Sequence, residues 1–368
     1  MRSARIVAGM LCLAAAAGCA TAPEDRPVLR YGIGESAETR RLVWPPVKDD
    51  EVPRYLYAGQ LTGEENFQAR KKEDETPGLG DLLRWLAGVI VGEAAPVVLQ
   101  RPQSGITDEA GRILVTDMSR QAVFVFDEQA GRLDVWDKAE GQFNFVSPAG
   151  IVLAPDGQVW VADAELGFIA RLDRRGNTLP GLGRGQLIRP TGLALDAAGG
   201  RLYVADTHGH DIKVFGLDGR LLATLGRRGD GPGEFSYPTH LAFARGRLYV
   251  ADTMNARVQV LDAATGRPLR SIGDRGMYVG NLVRPKGVAT DSEGNVYVVE
   301  SYHDHLLVFN ERGEFLMPIG GLGKEIGQFY LPAGVWTDAR NRVFVADMFN
   351  GRIAVFQFLG GGSESGGK

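Results

Sequence analysis

An all-β, six-bladed β-propeller is the fold class the sequence predicts, on three observations. A proline recurs six times ahead of an apolar run, a β-rich stretch closed by an acid follows each proline, and a further apolar strand follows each acid. The prolines are Pro102, Pro148, Pro190, Pro238, Pro285 and Pro332, at spacings of 46, 42, 48, 47 and 47 residues. Self-similarity at that period is the signature of a ring of four-stranded units.

The second strands read ILVTD, VWVAD, LYVAD, LYVAD, VYVVE and VFVAD, ending at Asp117, Asp163, Asp206, Asp252, Glu300 and Asp347. The third strands are AVFVF, FIARL, DIKVF, RVQVL, HLLVF and RIAVF, continuously or alternately apolar as buried and half-buried strands require. A fourth strand ending in Gly is visible as LLATLG, PLRSIG and FLMPIG. The sixth unit lacks one, because its third strand runs into LGGGSESGGK, a flexible tail over 359–368. Residues 55–61 (YLYAGQL) are therefore expected to supply the outer strand of the last blade and close the ring over 54–358 without an exposed edge.

The units P-x-G-[IVL]-A, then [LV]-[YWF]-V-A-D-T, then [RH]-[IV]-x-V-[FL] closely resemble the NHL repeat, most clearly in RPTGLALDAAGGRLYVADTHGHDIKVF at 189–215. The resemblance covers about 101–358 and implies a ligand-facing channel mouth, built from the loops around the repeat prolines and those after the acids. It does not imply an activity, since a propeller is a scaffold for many unrelated functions.

The N-terminus, MRSARIVAGMLCLAAAAGC, places Arg2 and Arg5 ahead of an apolar run from Ile6 to Ala17, the plan of a secretory signal over 1–18. That run falls short of the roughly 20 residues a membrane-spanning helix needs. Ala16-Ala17-Gly18-Cys19 resembles the lipobox of bacterial lipoproteins, which implies diacylation of Cys19 and a membrane anchor. Residues 19–53, rich in Pro and charge, read as a tether. The other cysteine, Cys12, lies in the signal, leaving the mature domain without a thiol or disulfide. Ala20 stands where some Gram-negative lipoproteins carry an inner-membrane retention Asp, which favours the outer membrane.

A net charge of -4, from 41 basic and 45 acidic residues, excludes the broad positive field that nucleic-acid binding requires. Four sets of residues carry what chemistry the mouth can offer. The acids closing the second strands read first as carboxylates that hold tight turns. Before the prolines stand Arg101, Arg189 and Arg284 in alternate blades, positioned either to bind a carboxylate, an acidic glycan or an acidic protein surface, or to fasten blades by pairing with neighbouring acids. His240 replaces the glycine of P-x-G and, with His208 and His303, is the candidate set for zinc or another metal such as calcium. His210 and His305 read as turn residues. The peptide-amidating lyases are NHL propellers whose zinc is held by histidines directly after equivalent prolines; here those positions are Gln103, Ala149, Thr191, Thr239, Lys286 and Ala333, a departure from that chemistry.

One insertion, 68–99, breaks the repeat. Its 79–91 stretch (LGDLLRWLAGVIV) reads as a short helix at the mouth, offering Trp85 to a partner or packing on the propeller. The function these readings favour is a non-enzymatic, lipid-anchored binding or assembly module of the cell envelope, recognising a protein, peptide or glycan at the mouth. The alternative is a metal-dependent lyase or hydrolase using the histidines.

Overall fold

The structure, a computed structural model, describes residues 29–31, 42–46, 52–67 and 96–360. Cys19, the signal, Trp85 and the 79–91 helix lie outside the described residues.

Six antiparallel sheets form the ring, each running outward from the axis. Blade 1 comprises Pro102–Thr107, Ile113–Asp117, Ala122–Asp127 and Arg132–Trp136. Blade 2 comprises Pro148–Leu153, Val159–Asp163, Phe168–Leu172 and Thr178–Leu182. Blades 3, 4 and 5 begin at Pro190, Pro238 and Pro285 and repeat the plan. The predicted prolines open the innermost strand in these five blades, a position where a missing N–H costs no ladder bond. In blade 6 the inner strand is shorter, Val335–Thr337, starting after Pro332.

The ring closes as the repeat count requires. Tyr55–Leu61 pairs antiparallel with Arg352–Phe358, Tyr55 facing Phe358 and Leu61 facing Ile353. Tyr55, Tyr57 and Leu61 are buried, and Trp44, Tyr57 and Phe329 all pack edge-on against Phe356. Each fully buried apolar side chain is worth roughly 1.5–3 kcal/mol, so this one strand supplies a substantial part of the stability of blade 6.

Parts of the segment read as a tether belong to the propeller. Val43–Trp44 adds a fifth strand outside Tyr55–Leu61. Leu29 is buried between blades 6 and 1, and the Tyr31 hydroxyl accepts a 2.6 Å bond from Arg342. A small hairpin, Lys138–Glu140 with Phe143–Asn144, was also not expected from the repeat and lies between blades 1 and 2. Among the described residues the helical segments are short 3-10 turns, Glu64–Phe67, Thr253–Asn255 and Met348–Asn350.

The core lies between blades. Tyr203 and Ala205 of blade 3 pack with Leu241, Leu248 and Val250 of blade 4, and the same shared arrangement recurs around the ring. Nearest the axis the backbones meet directly: a Cβ on Gly150, Gly192 or Gly334 would lie 2.3, 2.4 or 2.2 Å from the carbonyl oxygen of Thr191, Thr239 or Gln103 in the next blade. Only a residue without a side chain allows that approach.

Candidate functional site

The acids that close the second strands are structural. All six are fully buried. Asp117 accepts backbone N–H bonds from Gln100 and Arg101 ahead of the proline and from Ser119 and Arg120 in the following turn, at 2.6–3.0 Å. Asp163 does the same with Val146, Ser147, Glu165 and Leu166. In blades 1, 2 and 5 the buried carboxylate thus ties together the two loop sets, while Asp206 of blade 3 bonds the loop ahead of its proline. The residue four places after each acid then turns the chain in the left-handed region: Gln121, Gly167, His210, Ala256, Asp304 and Gly351, with φ between 53° and 67°. His210 and Asp304 are the equivalent pair, and His305 is one place further on. His210 Nδ1 accepts the N–H of Tyr237 at 3.2 Å and Asp304 that of Leu331 at 2.5 Å, each bond crossing to the next blade. Burial, the nearby Arg228 and His208 all hold His210 below the ordinary imidazole range, the neutral state this acceptor role needs.

The three arginines divide the two roles anticipated for them. The backbone N–H groups of Arg101, Arg189 and Arg284 bond to Asp117, Asp206 and Glu300. Their guanidinium groups do not pair with these acids. Arg101 lies over the Phe349 ring, 5.0 Å from its centre, and Arg189 bonds Glu165 at 2.7 Å. Arg284 is exposed and has no ion pair among the described residues. The peptide N–H bonds hold the mouth loop within each blade, whereas the guanidinium groups of Arg189 and Arg101 reach the preceding blades, to Glu165 of blade 2 and Phe349 of blade 6. Around them Tyr237, Tyr302, Tyr330 and Phe349 are each between 39% and 51% exposed. The sequence reading singles out the arginines and assigns no role to these aromatics, although Tyr237 directly precedes a repeat proline and Tyr302 and Phe349 each stand two residues after a blade acid.

The structure does not bring the candidate metal ligands together. Among the described residues no group of three His, Cys, Asp or Glu side chains is arranged to hold a metal ion. His208 sits edge-on to Tyr237 at 5.9 Å, and His303 packs against Tyr302 at 5.1 Å. His240 instead faces the central channel, with both ring nitrogens buried and, among the described residues, without hydrogen-bond partners. Burial first, and then the positive charge of Lys286, push its imidazole down to about 4.

Similarity to known proteins bears on the repeat type of blade 3. The NHL repeat profile matches residues 187–215. The chain is a six-bladed propeller that carries an NHL repeat. It shares 30% identity over 151 residues with peptidyl-glycine alpha-amidating monooxygenase B of Xenopus laevis, covering 37% of this chain and 17% of that protein. It shares 28% identity over 138 residues with protein brain tumor of Drosophila melanogaster, covering 37% and 13%. The chain thus spans about a sixth of the length of the curated relatives it matches. Virginiamycin B lyase from Staphylococcus aureus, solved with quinupristin, superposes with a TM-score of 0.53 at 13% identity, over 70% of this chain and 95% of that one. At that identity the likeness is one of fold.

Proposed function

We propose that this propeller is a non-enzymatic binding module that takes a protein, peptide or glycan partner on its mouth face. The observation that carries the reading is the rim itself: the exposed Arg101 and Arg284, with Arg189 paired to Glu165 between them, interleaved with half-exposed tyrosines and phenylalanine on loops tied down by buried carboxylates. Arg and aromatic side chains are the residues that dominate binding interfaces, because they bring large contact area and directional donors at small entropic cost. Rigid loops lower the ordering cost of association. The guanidinium forks favour a partner with carboxylates or an acidic glycan.

The sequence of residues 2–19 supports export and lipid anchoring through Cys19, with the outer membrane favoured, which would set the rim to work in the cell envelope. The test is partner capture from envelope extracts by the full chain, compared with Arg284→Ala, Tyr302→Ala and the Arg101→Ala/Arg189→Ala/Arg284→Ala triple variant. Loss of the same captured species in the rim variants, at unchanged melting temperature, supports the proposal. Undiminished capture by the triple and Tyr302 variants would overturn it.

A further inference from the structure

The central channel presents a second, smaller site. Two positions after the repeat proline, four blades carry glycine, Gly150, Gly192, Gly287 and Gly334, and blade 1 carries Ser104. Blade 4 carries His240, so one imidazole stands where the other blades leave bare backbone. Its ring lies by the carbonyl groups of Gln103, in the blade diametrically opposite, and of Lys286, in the next blade, and among the described residues neither ring nitrogen completes a well-formed hydrogen bond. The side chain therefore reaches across the axis.

The channel it faces encloses about 260 Å³ and is walled by the innermost strands of all six blades. Among the described residues no carboxylate lines it, and His240 is the one titratable side chain in its wall. Trp336 also lines it and buries its indole Nε1 without an acceptor. An indole N–H can only donate, and an imidazole can donate from either nitrogen. Lys286, partly buried beside His240, adds a positive charge at the mouth end. The polar side chains left without partners along the axis are thus donors, or can become donors, while the wall offers no anion to receive them. Buried donors without acceptors cost about 1–3 kcal/mol each, and native structures keep them where water or a ligand completes the set.

We propose that the axial channel binds a small organic carboxylate, which accepts hydrogen bonds from His240 and from the Trp336 indole and is drawn in by Lys286. A carboxylate on the axis lets the imidazole take up a proton and donate in two directions, toward a backbone carbonyl on one side and the ligand on the other. The volume admits a molecule of a few carbons, below the range of drug-sized pockets. This site lies inside the ring and is independent of the rim that holds a macromolecular partner, so the two proposals fail separately.

The experiment is a titration of the full chain with succinate, with acetate as a shorter anion and ethanolamine as a cationic control. It reads the Trp336 indole N–H resonance and the ring nitrogens of ¹⁵N-labelled histidine. Succinate should move the Trp336 and His240 signals together and saturably, with His240 shifting toward the imidazolium form. His240→Gly, which restores the residue of four other blades, and Lys286→Ala should each weaken binding at least about tenfold. Trp336→Phe, which keeps the aromatic packing, should weaken it without lowering the melting temperature. Absence of a saturable shift with either anion, an equal shift with ethanolamine, or unchanged affinity in His240→Gly overturns the proposal.

Discussion

Replacing His240 with glycine should flatten the acid side of the stability profile, and the size of the effect follows from where the imidazole lies. Burial and the Lys286 charge bring its pKa to about 4 in the folded chain, from 6.5 when free. Between those values the unfolded chain holds the proton and the folded chain does not, so stability falls as pH falls. The contribution is fully present above pH 6.5 and is lost by the time pH drops through about 4. The difference of 2.5 pH units, 6.5 less 4, at 1.36 kcal/mol each corresponds to roughly 3 kcal/mol. The assay is urea denaturation of the wild type and His240→Gly in steps from pH 7.5 to pH 4, with the unfolding free energy extrapolated to water. His210 and His305, also held low by burial, titrate in both proteins and cancel in the comparison. The wild type should lose about 3 kcal/mol more than the variant across this range. Parallel profiles would refute the assignment of a neutral, desolvated imidazole to the axis.

Other perturbations probe the frame. Leu61→Ala, in the closing strand, removes a fully buried side chain between blades 6 and 1 and should cost about 2–5 kcal/mol by denaturant melts. Gly150→Ala pushes a Cβ to 2.3 Å from the Thr191 carbonyl and should cost about 1–3 kcal/mol, whereas Ala58→Gly in the outer strand should cost no more than about 1 kcal/mol. Asp163→Ala strands the N–H groups of Val146, Ser147, Glu165 and Leu166, and should raise amide exchange rates in both mouth loops of blade 2 before any global unfolding. Among the rim arginines, Arg284→Ala should weaken partner capture more than Arg189→Ala, because Glu165 already engages Arg189.

The legible parts of the fold were those where burial and turn chemistry act together. Second and third strands are buried on both faces, so VWVAD and AVFVF announce themselves, and the proline and acid frame them. Outermost strands such as Arg132–Trp136 bury little, and their alternation fades into that of a loop. Val43–Trp44 is two residues long and is fixed by Phe356 from the far end of the chain, which no local pattern reveals. At the site, the arginines were found because they recur in alternate blades. Their actual partners were not, since a guanidinium can reach an aromatic ring, a glutamate or water from the same backbone position. His240 stood out as a departure from the repeat, while its isolation from His208 and His303 depended on directions that only the folded ring defines.

The ring of close backbone contacts also bears on how the chain assembles. Glycines close the junctions between blades 2 and 3, 3 and 4, 5 and 6, and 6 and 1; the two remaining junctions, diametrically opposite, carry Ser104 and His240. These seams divide the propeller into two groups of three blades. Blades 2 to 4 form one contiguous stretch of chain, and their contacts close only short loops. The other group needs both ends of the chain, since Gln60 and Arg352, hydrogen-bonded at 3.0 Å, are 292 residues apart in sequence. Loop-closure entropy then sets an order, with the contiguous group gaining structure early and the two-ended group completing the circle last. The closing strand is the kinetic latch of the molecule as well as its seal, and substitutions in it should speed unfolding more than they slow folding.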